Sequence, residues 1–339
     1  MPEKTRIAIV GWGNVGRGVY AALQKNPDMV FAGIITRDVK RVSSDIDRRR
    51  YFIRSSRVLN CSCGDEFLRD AAKRYKVVAI LCGGSAKDLP VQGPHYARRV
   101  STVDGFDTHA DIPKYLEEMD KAARKFGNTS IISAGWDPGT SSLERVLGNA
   151  FLPGSKGYTF WGPGVSQGHS NAVREISGVV DARQYTLPVE DAVKRVRAGW
   201  KPELSTRQKH TRLVYVVAEK GADKAKIKRT IKTMPKYFAD YDTNVVFISK
   251  GKMEREHSTY PHAGLVLTSG ETGDGNKALI EYSNEWASNP EATASILVAC
   301  ARACSRLNTR GRIGAYTMLN LSPADLSPLS REELLERYM

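Results

Sequence analysis

The apolar run 5–11 ends in the turn Gly11-Trp12-Gly13-Asn14-Val15-Gly16, which opens a helix-patterned stretch stopped by Asn26-Pro27. Its context, after a strand and at the start of a helix, is what makes the pattern informative. The first glycine permits a tight turn, the second lets the backbone approach a pyrophosphate, and the third lets helix and strand pack closely. The helix N-terminus then offers free N–H groups and a positive dipole to the phosphates. After a strand and before a helix, the pattern implies a Rossmann-type unit for a nicotinamide dinucleotide.

The residues beyond the turn fit that unit. Strand patterns at 5–11, 29–36, 77–81, 100–103 and 129–133 alternate with helical stretches, including 16–25 and 65–75. Such alternation makes a doubly wound parallel α/β sheet, with ligands at the carboxyl ends of its strands. The arginine-rich segment 37–60 reads as a surface excursion. Beyond Trp136 the pattern changes to β-prone segments at 157–161, 211–218, 244–249, 265–269 and 278–282, with helical stretches at 189–197 and 223–233. These predict a second α+β domain, with an open, mostly antiparallel sheet for substrate and subunit contacts. The stretch 290–307 is too apolar for an exposed helix and is expected to pack back on the first domain. The expected division is 1–136 with 288–339 for the dinucleotide, and 137–287 for substrate binding and dimerisation.

The formal net charge is +14. Its arginines and lysines are scattered, apart from Arg48, Arg49, Arg50, Arg54 and Arg57 and the helically spaced Lys224, Lys228 and Lys232. Without a zinc finger or RNA-binding aromatic motif, they read as solvated surface, with no specific nucleic-acid partner. No run of ~18 apolar residues predicts a membrane span, and the N-terminal residues lack a signal-peptide pattern. A cytoplasmic protein is expected. The five cysteines, Cys61, Cys63, Cys82, Cys300 and Cys304, are an odd number and argue against a disulfide framework. Cys61, Cys63, Cys300 and Cys304 are expected to be buried small residues, and no metal site is expected.

The residues at the second strand end, Thr36-Arg37-Asp38, decide the cofactor. A carboxylate there binds the ribose 2′-hydroxyl of NAD, whereas an arginine pairs with the 2′-phosphate of NADP. Arg37 comes first, with the Thr36 hydroxyl beside it, and favours NADP; Asp38 opposes it. Cys82-Gly83-Gly84-Ser85 ends another strand with small residues that would admit the nicotinamide ribose. Two further strand ends carry Asp104-Gly105-Phe106-Asp107 and Ala134-Gly135-Trp136-Asp137-Pro138-Gly139. Two carboxylates beside a nicotinamide could hold an ammonium or handle a proton. The loop 160–170 offers backbone N–H groups and aromatic surface, and Arg212 and His262 could bind a carboxylate. Together they point to a zwitterionic amino acid.

At these residues the chain resembles the meso-diaminopimelate D-dehydrogenase family along nearly its whole length. IAIVGWGNVGR at 7–17, FDTHADIP at 106–113, SAGWDPG at 133–139 and TFWGPGVSQGHS at 159–170 carry the likeness. QYTLP at 184–188, KHTR at 209–212, TMPKYF at 233–238 and YPHAG at 260–264 continue it. The resemblance implies an NADP-dependent homodimer that oxidatively deaminates the D-centre of meso-2,6-diaminopimelate. It places Asp107 and Asp137 at the reacting amino group. Trp161, Gln167, Gly168, His169, Ser170 and Asn171 would line the D-centre and its carboxylate, while Thr186, Arg212, His262 and Asn289 would hold the distal L-end. Cofactor contacts would come from the Gly11–Gly16 turn, including Trp12, Gly13, Asn14 and Val15, and from Thr36, Arg37 and Asp38. Cys82, Gly83, Gly84, Ser85, Gly105, Phe106, Asp107, Ala134, Gly135, Trp136, Asp137 and Pro138 would complete them.

Overall fold

The computed structural model describes residues 4–235 and 237–339. The chain divides into two compact units, Met1–Leu143 with Pro290–Met339, and Glu144–Asn289. The breaks fall after 143 and 289 rather than after the expected 136 and 287. Leu143 packs on the core of the first unit, which keeps the Trp136–Gly139 turn there.

In the first unit, β1 (Thr5–Val10), β2 (Met29–Thr36), β3 (Val58–Asn60), β4 (Val77–Leu81), β5 (Ser101–Asp104) and β6 (Thr129–Ile131) form one sheet with the strand Gly314–Tyr316. The order is Gly314–Tyr316, β6, β5, β4, β1, β2, β3, with every pair parallel. The direction of winding reverses between β1 and β4, where doubly wound sheets bind ligands. α1 (Asn14–Leu23), α2 (Val39–Arg49), α3 (Cys61–Ala72), α4 (Leu89–Ala97) and α5 (Ile112–Lys125) alternate with the strands. Ile7, Ile9, Val78 and Ile80 enter one apolar cluster, and Ala8, Val10, Ala79 and Leu81 the other. Central strands therefore bury both faces, which is why they read as unbroken apolar runs. The helix Asn289–Thr309 contributes Ala294, Leu297, Val298, Cys300, Ala301 and Cys304 to the first cluster, so its apolar stretch is buried within this unit.

Segment 37–60 is not a mere surface excursion: α2 buries Val42 and Ile46, and β3 extends the sheet. Its apolar residues Val39, Val42 and Ile46 keep i, i+3, i+7 spacing, hidden in composition by the arginines around them. Cys61 and Cys63 are exposed rather than buried, because they occupy the first turn of α3, on its outer side; Cys300 and Cys304 are buried.

The second unit contains two sheets instead of one. β7 (Lys156–Trp161), β8 (Gly164–Ser166), β9 (Val179–Pro188), β10 (His210–Ala218), β11 (Asp242–Phe247), β12 (His262–Glu271) and β13 (Lys277–Trp286) divide between them. β11-β10-β9-β8 is mixed, with β10 and β11 parallel, and β13-β12-β7 is antiparallel. The Gly162-Pro163 turn causes the split, since it sends β7 to β12 and β8 to β9. Lys224, Lys228 and Lys232 lie on the exposed side of their helix. No helix among the described residues is long and apolar enough to cross a membrane.

Candidate functional site

Five loops gather at the carboxyl edge of the parallel sheet. Gly16 is helical, and a Cβ there would overlap the Gly11 carbonyl, so the turn demands glycine. An added Cβ on Gly13, by contrast, meets nothing within 4 Å, and no side chain caps the N-terminus of α1. An open backbone surface with unclaimed N–H groups fits a pyrophosphate. The Trp12 side chain is turned away into the core, where Nε1–H donates to Asp45 Oδ2 at 3.0 Å and the ring packs edge-on against Tyr20 and Tyr51. Asp45 also accepts from Arg48 at 2.7 Å and Arg49 at 3.0 Å. Burial alone would raise its carboxyl, but these donors, Trp12 and the Arg17 charge hold it at about 2. Thus α2 clamps the turn from behind. Sequence reasoning missed Asp45, whose only signal was its place among the arginines.

At the end of β2, Asp38 caps α2 by accepting the Arg41 N–H at 2.9 Å. Its own N–H donates to Thr36 Oγ1 at 3.2 Å. Asp38 therefore has a structural use apart from any ribose. Arg37 is largely exposed, with Nη1 3.3 Å from Asp88 Oδ1. The other oxygen of Asp88 accepts the Gly84 N–H at 2.9 Å, linking the ends of β2 and β4. Cys82 makes a weak contact to the Ile80 carbonyl at 3.7 Å, and burial pushes its thiol up to about 12. That is a packing residue, not a nucleophile.

Asp107 is exposed and Asp137 half-buried, on neighbouring loops after β5 and β6. The Asp107 N–H donates to Ser85 Oγ at 2.8 Å, fixing the β5 loop to the β4 loop. Gly105, Phe106, Ala134, Gly135, Trp136 and Pro138 form the backbone of these two loops, with Phe106 stacked on Tyr115.

The second unit assembles its own cluster. Arg212 on β10 lies opposite Thr186 on β9 and donates through Nη1 to the Thr186 hydroxyl. Its guanidinium also covers the Tyr241 ring, 3.8 Å from the centroid. Arg212 is only 6% exposed, yet it pairs with no carboxylate among the described residues, and its Nε lacks a partner. Burial weighs against its charge. Next to it, Gln184 is fully buried with Oε1 unpartnered. Thr186 also faces Gly164 on β8, and a Cβ on Gly164 would enter the His262 ring. The glycine thus brings the imidazole onto the strand backbone. His262 Nδ1 lies 2.9 Å from the Ala263 carbonyl.

Ser166 caps α6 (Gln167–Arg174), and its hydroxyl meets His169 Nδ1 at 2.7 Å. Burial, then the charge of Arg212, lowers His169 to about 4. It is neutral at physiological pH. The Ser170 hydroxyl is already engaged, donating to the Ser166 carbonyl at 2.6 Å and accepting the Gln184 N–H at 2.9 Å. Gln167 is half-buried, and Gly168 and Asn171 are exposed, with the Asn171 side chain accepting from Arg174. Trp161 at the end of β7 stacks on His210 with centroids 5.0 Å apart, and its N–H donates to His210 Nε2 at 2.8 Å. Burial and the nearby cations hold His210 neutral, at about 3. Asn289 donates its backbone N–H to the Tyr260 carbonyl at 2.8 Å. Gln184, His210 and Tyr241 were missed from sequence, although the first two lie inside the QYTLP and KHTR stretches.

The parallel sheet with its glycine turn, together with a second unit presenting buried polar groups, defines an NAD(P)-type amino-acid dehydrogenase. Comparison with known proteins gives the family. The chain belongs to the meso-diaminopimelate D-dehydrogenase family. The family model for the diaminopimelic acid dehydrogenase C-terminal domain matches residues 135–288. A meso-diaminopimelate D-dehydrogenase of Ureibacillus thermosphaericus is 50% identical, covering 99% of this chain and 100% of the relative. That of Corynebacterium glutamicum is 41% identical, with 98% of each chain covered. Among solved structures, the Corynebacterium glutamicum enzyme in complex with DAP is similar at TM-score 0.88 and 40% identity, covering 99% of both chains. An engineered D-amino acid dehydrogenase bound to NADP+ is similar at TM-score 0.83 and 39% identity, covering 99% of this chain and 100% of that one.

Proposed function

We propose that this enzyme catalyses the reversible, NADP-dependent oxidative deamination of the D-centre of meso-2,6-diaminopimelate, giving L-2-amino-6-oxopimelate and ammonia. The observation that carries the reading is Arg212, a buried cation without an acidic partner among the described residues, braced by Thr186. An unpaired buried charge is costly and calls for an anionic ligand. A carboxylate of the distal L-amino-acid end supplies it, with Thr186, His262 and Asn289 around that end. Trp161, Gln167, Gly168, His169, Ser170 and Asn171 line the D-centre and its carboxylate.

The open Gly11–Gly16 turn would hold the pyrophosphate, Thr36 and Arg37 the 2′-phosphate, and the 82–85, 105–107 and 134–138 loops the nicotinamide end. Asp38 is occupied at the cap of α2, accepting the Arg41 N–H, and keeps its negative charge beside that phosphate. NADP+, when bound, would supply the acceptor for the hydride of the D-centre. Asp107 and Asp137 hold the D-amino group, and one of them, directly or through water, takes the ammonium proton that must leave first. The substrate imine then adds water and releases ammonia. Anchoring the unreactive L-end selects which of two chemically alike centres reacts. The reverse amination serves lysine and cell-wall precursor synthesis, and the enzyme works as a cytoplasmic homodimer without a specific nucleic-acid partner.

NADPH formation with meso-, L,L- and D,D-diaminopimelate tests this reading. Turnover with the meso isomer and none with L,L is expected; no turnover with the meso isomer would overturn it.

A further inference from the structure

Asp104, the last residue of β5, is completely buried. Its Oδ1 accepts the Phe106 N–H at 3.0 Å and the Ser133 N–H at 3.4 Å, while Oδ2 accepts the Tyr115 hydroxyl at 2.8 Å. Its main-chain carbonyl accepts the Ala134 N–H at 2.8 Å. One residue therefore ties the β5 loop, the β6 loop and α5 together. No arginine or lysine is among its partners within the described residues, and burial pushes the carboxyl up to about 6 against the pull of these donors.

A buried carboxyl without a counter-ion is expensive, and an apolar residue would end a strand at less cost. The donors it gathers explain its presence. Ser133 sits at φ +53°, a conformation that a non-glycine residue holds only when its surroundings impose it, and its N–H is one of the two on Oδ1. On the other loop, successive N–H groups are fixed, Phe106 to Asp104 and Asp107 to Ser85 at 2.8 Å. Phe106 is further clamped by stacking on Tyr115, with centroids 4.3 Å apart. The two segments so held lead directly into Asp107 and Asp137.

We propose that Asp104 is a positioning residue for the reaction: its single buried side chain sets the relative placement of the two loops that present Asp107 and Asp137. The inference rests on the proposed deamination, in which those two carboxylates hold the reacting amino group. Misplacing a reacting group by about 1 Å costs on the order of 100-fold in rate, without a matching loss of ground-state binding. Asp104 needs its oxygens rather than its charge. An asparagine can accept both N–H groups through its oxygen and donate to the Tyr115 hydroxyl, which then turns to the Leu89 carbonyl 3.3 Å away.

The test is steady-state kinetics of the intact enzyme with meso-diaminopimelate and NADP+, using Asp104→Ala, Asp104→Asn and Tyr115→Phe. The expected result is kcat lowered about 100-fold in Asp104→Ala. Both KM values should stay within about three-fold, and deuterium at the D-centre should give a larger isotope effect as hydride transfer becomes limiting. Asp104→Asn should recover kcat to within about five-fold of the parent, and Tyr115→Phe should lose about three- to ten-fold, as expected for one hydrogen bond of roughly 1 kcal/mol. A folded Asp104→Ala with near-parental kcat overturns the proposal, as does an Asp104→Asn as impaired as alanine. If Asp104→Ala does not fold, an unchanged kcat in Tyr115→Phe overturns it. Asp107→Asn and Asp137→Asn run alongside: parental activity there defeats the reading of the two carboxylates, whereas loss there with none at Asp104 defeats this inference alone.

Discussion

On the proposed function, the two units prepare for their ligands in opposite ways. The first offers backbone: a turn in which Gly16 is obligatory, an uncapped helix start at Gly13, and strand ends of small residues. Its charged side chains near that edge are mostly spoken for, Asp38 by a helix cap and Asp45 by Trp12 and three arginines. The second unit offers side chains, with Arg212, Gln184 and Thr186 buried side by side on sheet strands and some of their polar atoms unpartnered. A dinucleotide is long and carries its charge on phosphates that any N–H can meet, so backbone suffices. A small zwitterion with two similar ends must be told apart by specific groups, and leaving those groups unpaired until it binds penalises the wrong ligand.

The comparison breaks most sharply at the residues that serve neither strategy. Asp107→Asn and Asp137→Asn should each lower kcat by about 100- to 10,000-fold, as for loss of a group that handles a proton. Initial rates at saturating substrate and cofactor check this. Arg212→Ala should raise KM for diaminopimelate about 10- to 100-fold, the worth of charge-assisted hydrogen bonds, and leave KM for NADP+ unchanged. An unchanged KM for diaminopimelate would remove the side-chain half of the contrast.

On the backbone side, Asp45→Asn should cost about 2 kcal/mol of stability near neutral pH. Its folded carboxyl, held at about 2, lies below the unfolded value near 3.8. The stabilisation is therefore full above about pH 4 and disappears as pH falls toward 2. Urea unfolding of parent and variant at pH 7 and pH 2.5 should show the gap closing as the pH falls. The smallest effect is expected from the exposed Arg37. Arg37→Ala should raise KM for NADP+ about 10-fold and barely alter KM for NAD+, sharpening how much that end of the cofactor relies on a side chain.

Legibility tracked how local the information was. The glycine turn and strands β2 and β4 were readable at full length because their information is local: apolar runs, a breaker, a turn. Strand β9 was not, because its buried face carries Ala182, Gln184 and Thr186, so polarity no longer alternates with burial. α2 was hidden by the exposed arginines that surround its apolar positions Val39, Val42 and Ile46. The split into two sheets depended on where the Gly162-Pro163 turn sends each strand, a matter of pairing partners distant in the chain.

By itself, then, the sequence determined the dinucleotide unit, the family and the residue types of the site, since turn chemistry, hydrophobic period and motif are properties of neighbouring residues. Only the tertiary structure decided that Asp38 caps a helix, that Trp12 faces the core, that Arg212 lies buried beside Thr186 with no acidic partner among the described residues, and that Asp104 joins two loops. Each of these depends on which polar atoms meet after folding. A charge's surroundings, unlike its position in the chain, are set by partners that the fold brings from elsewhere.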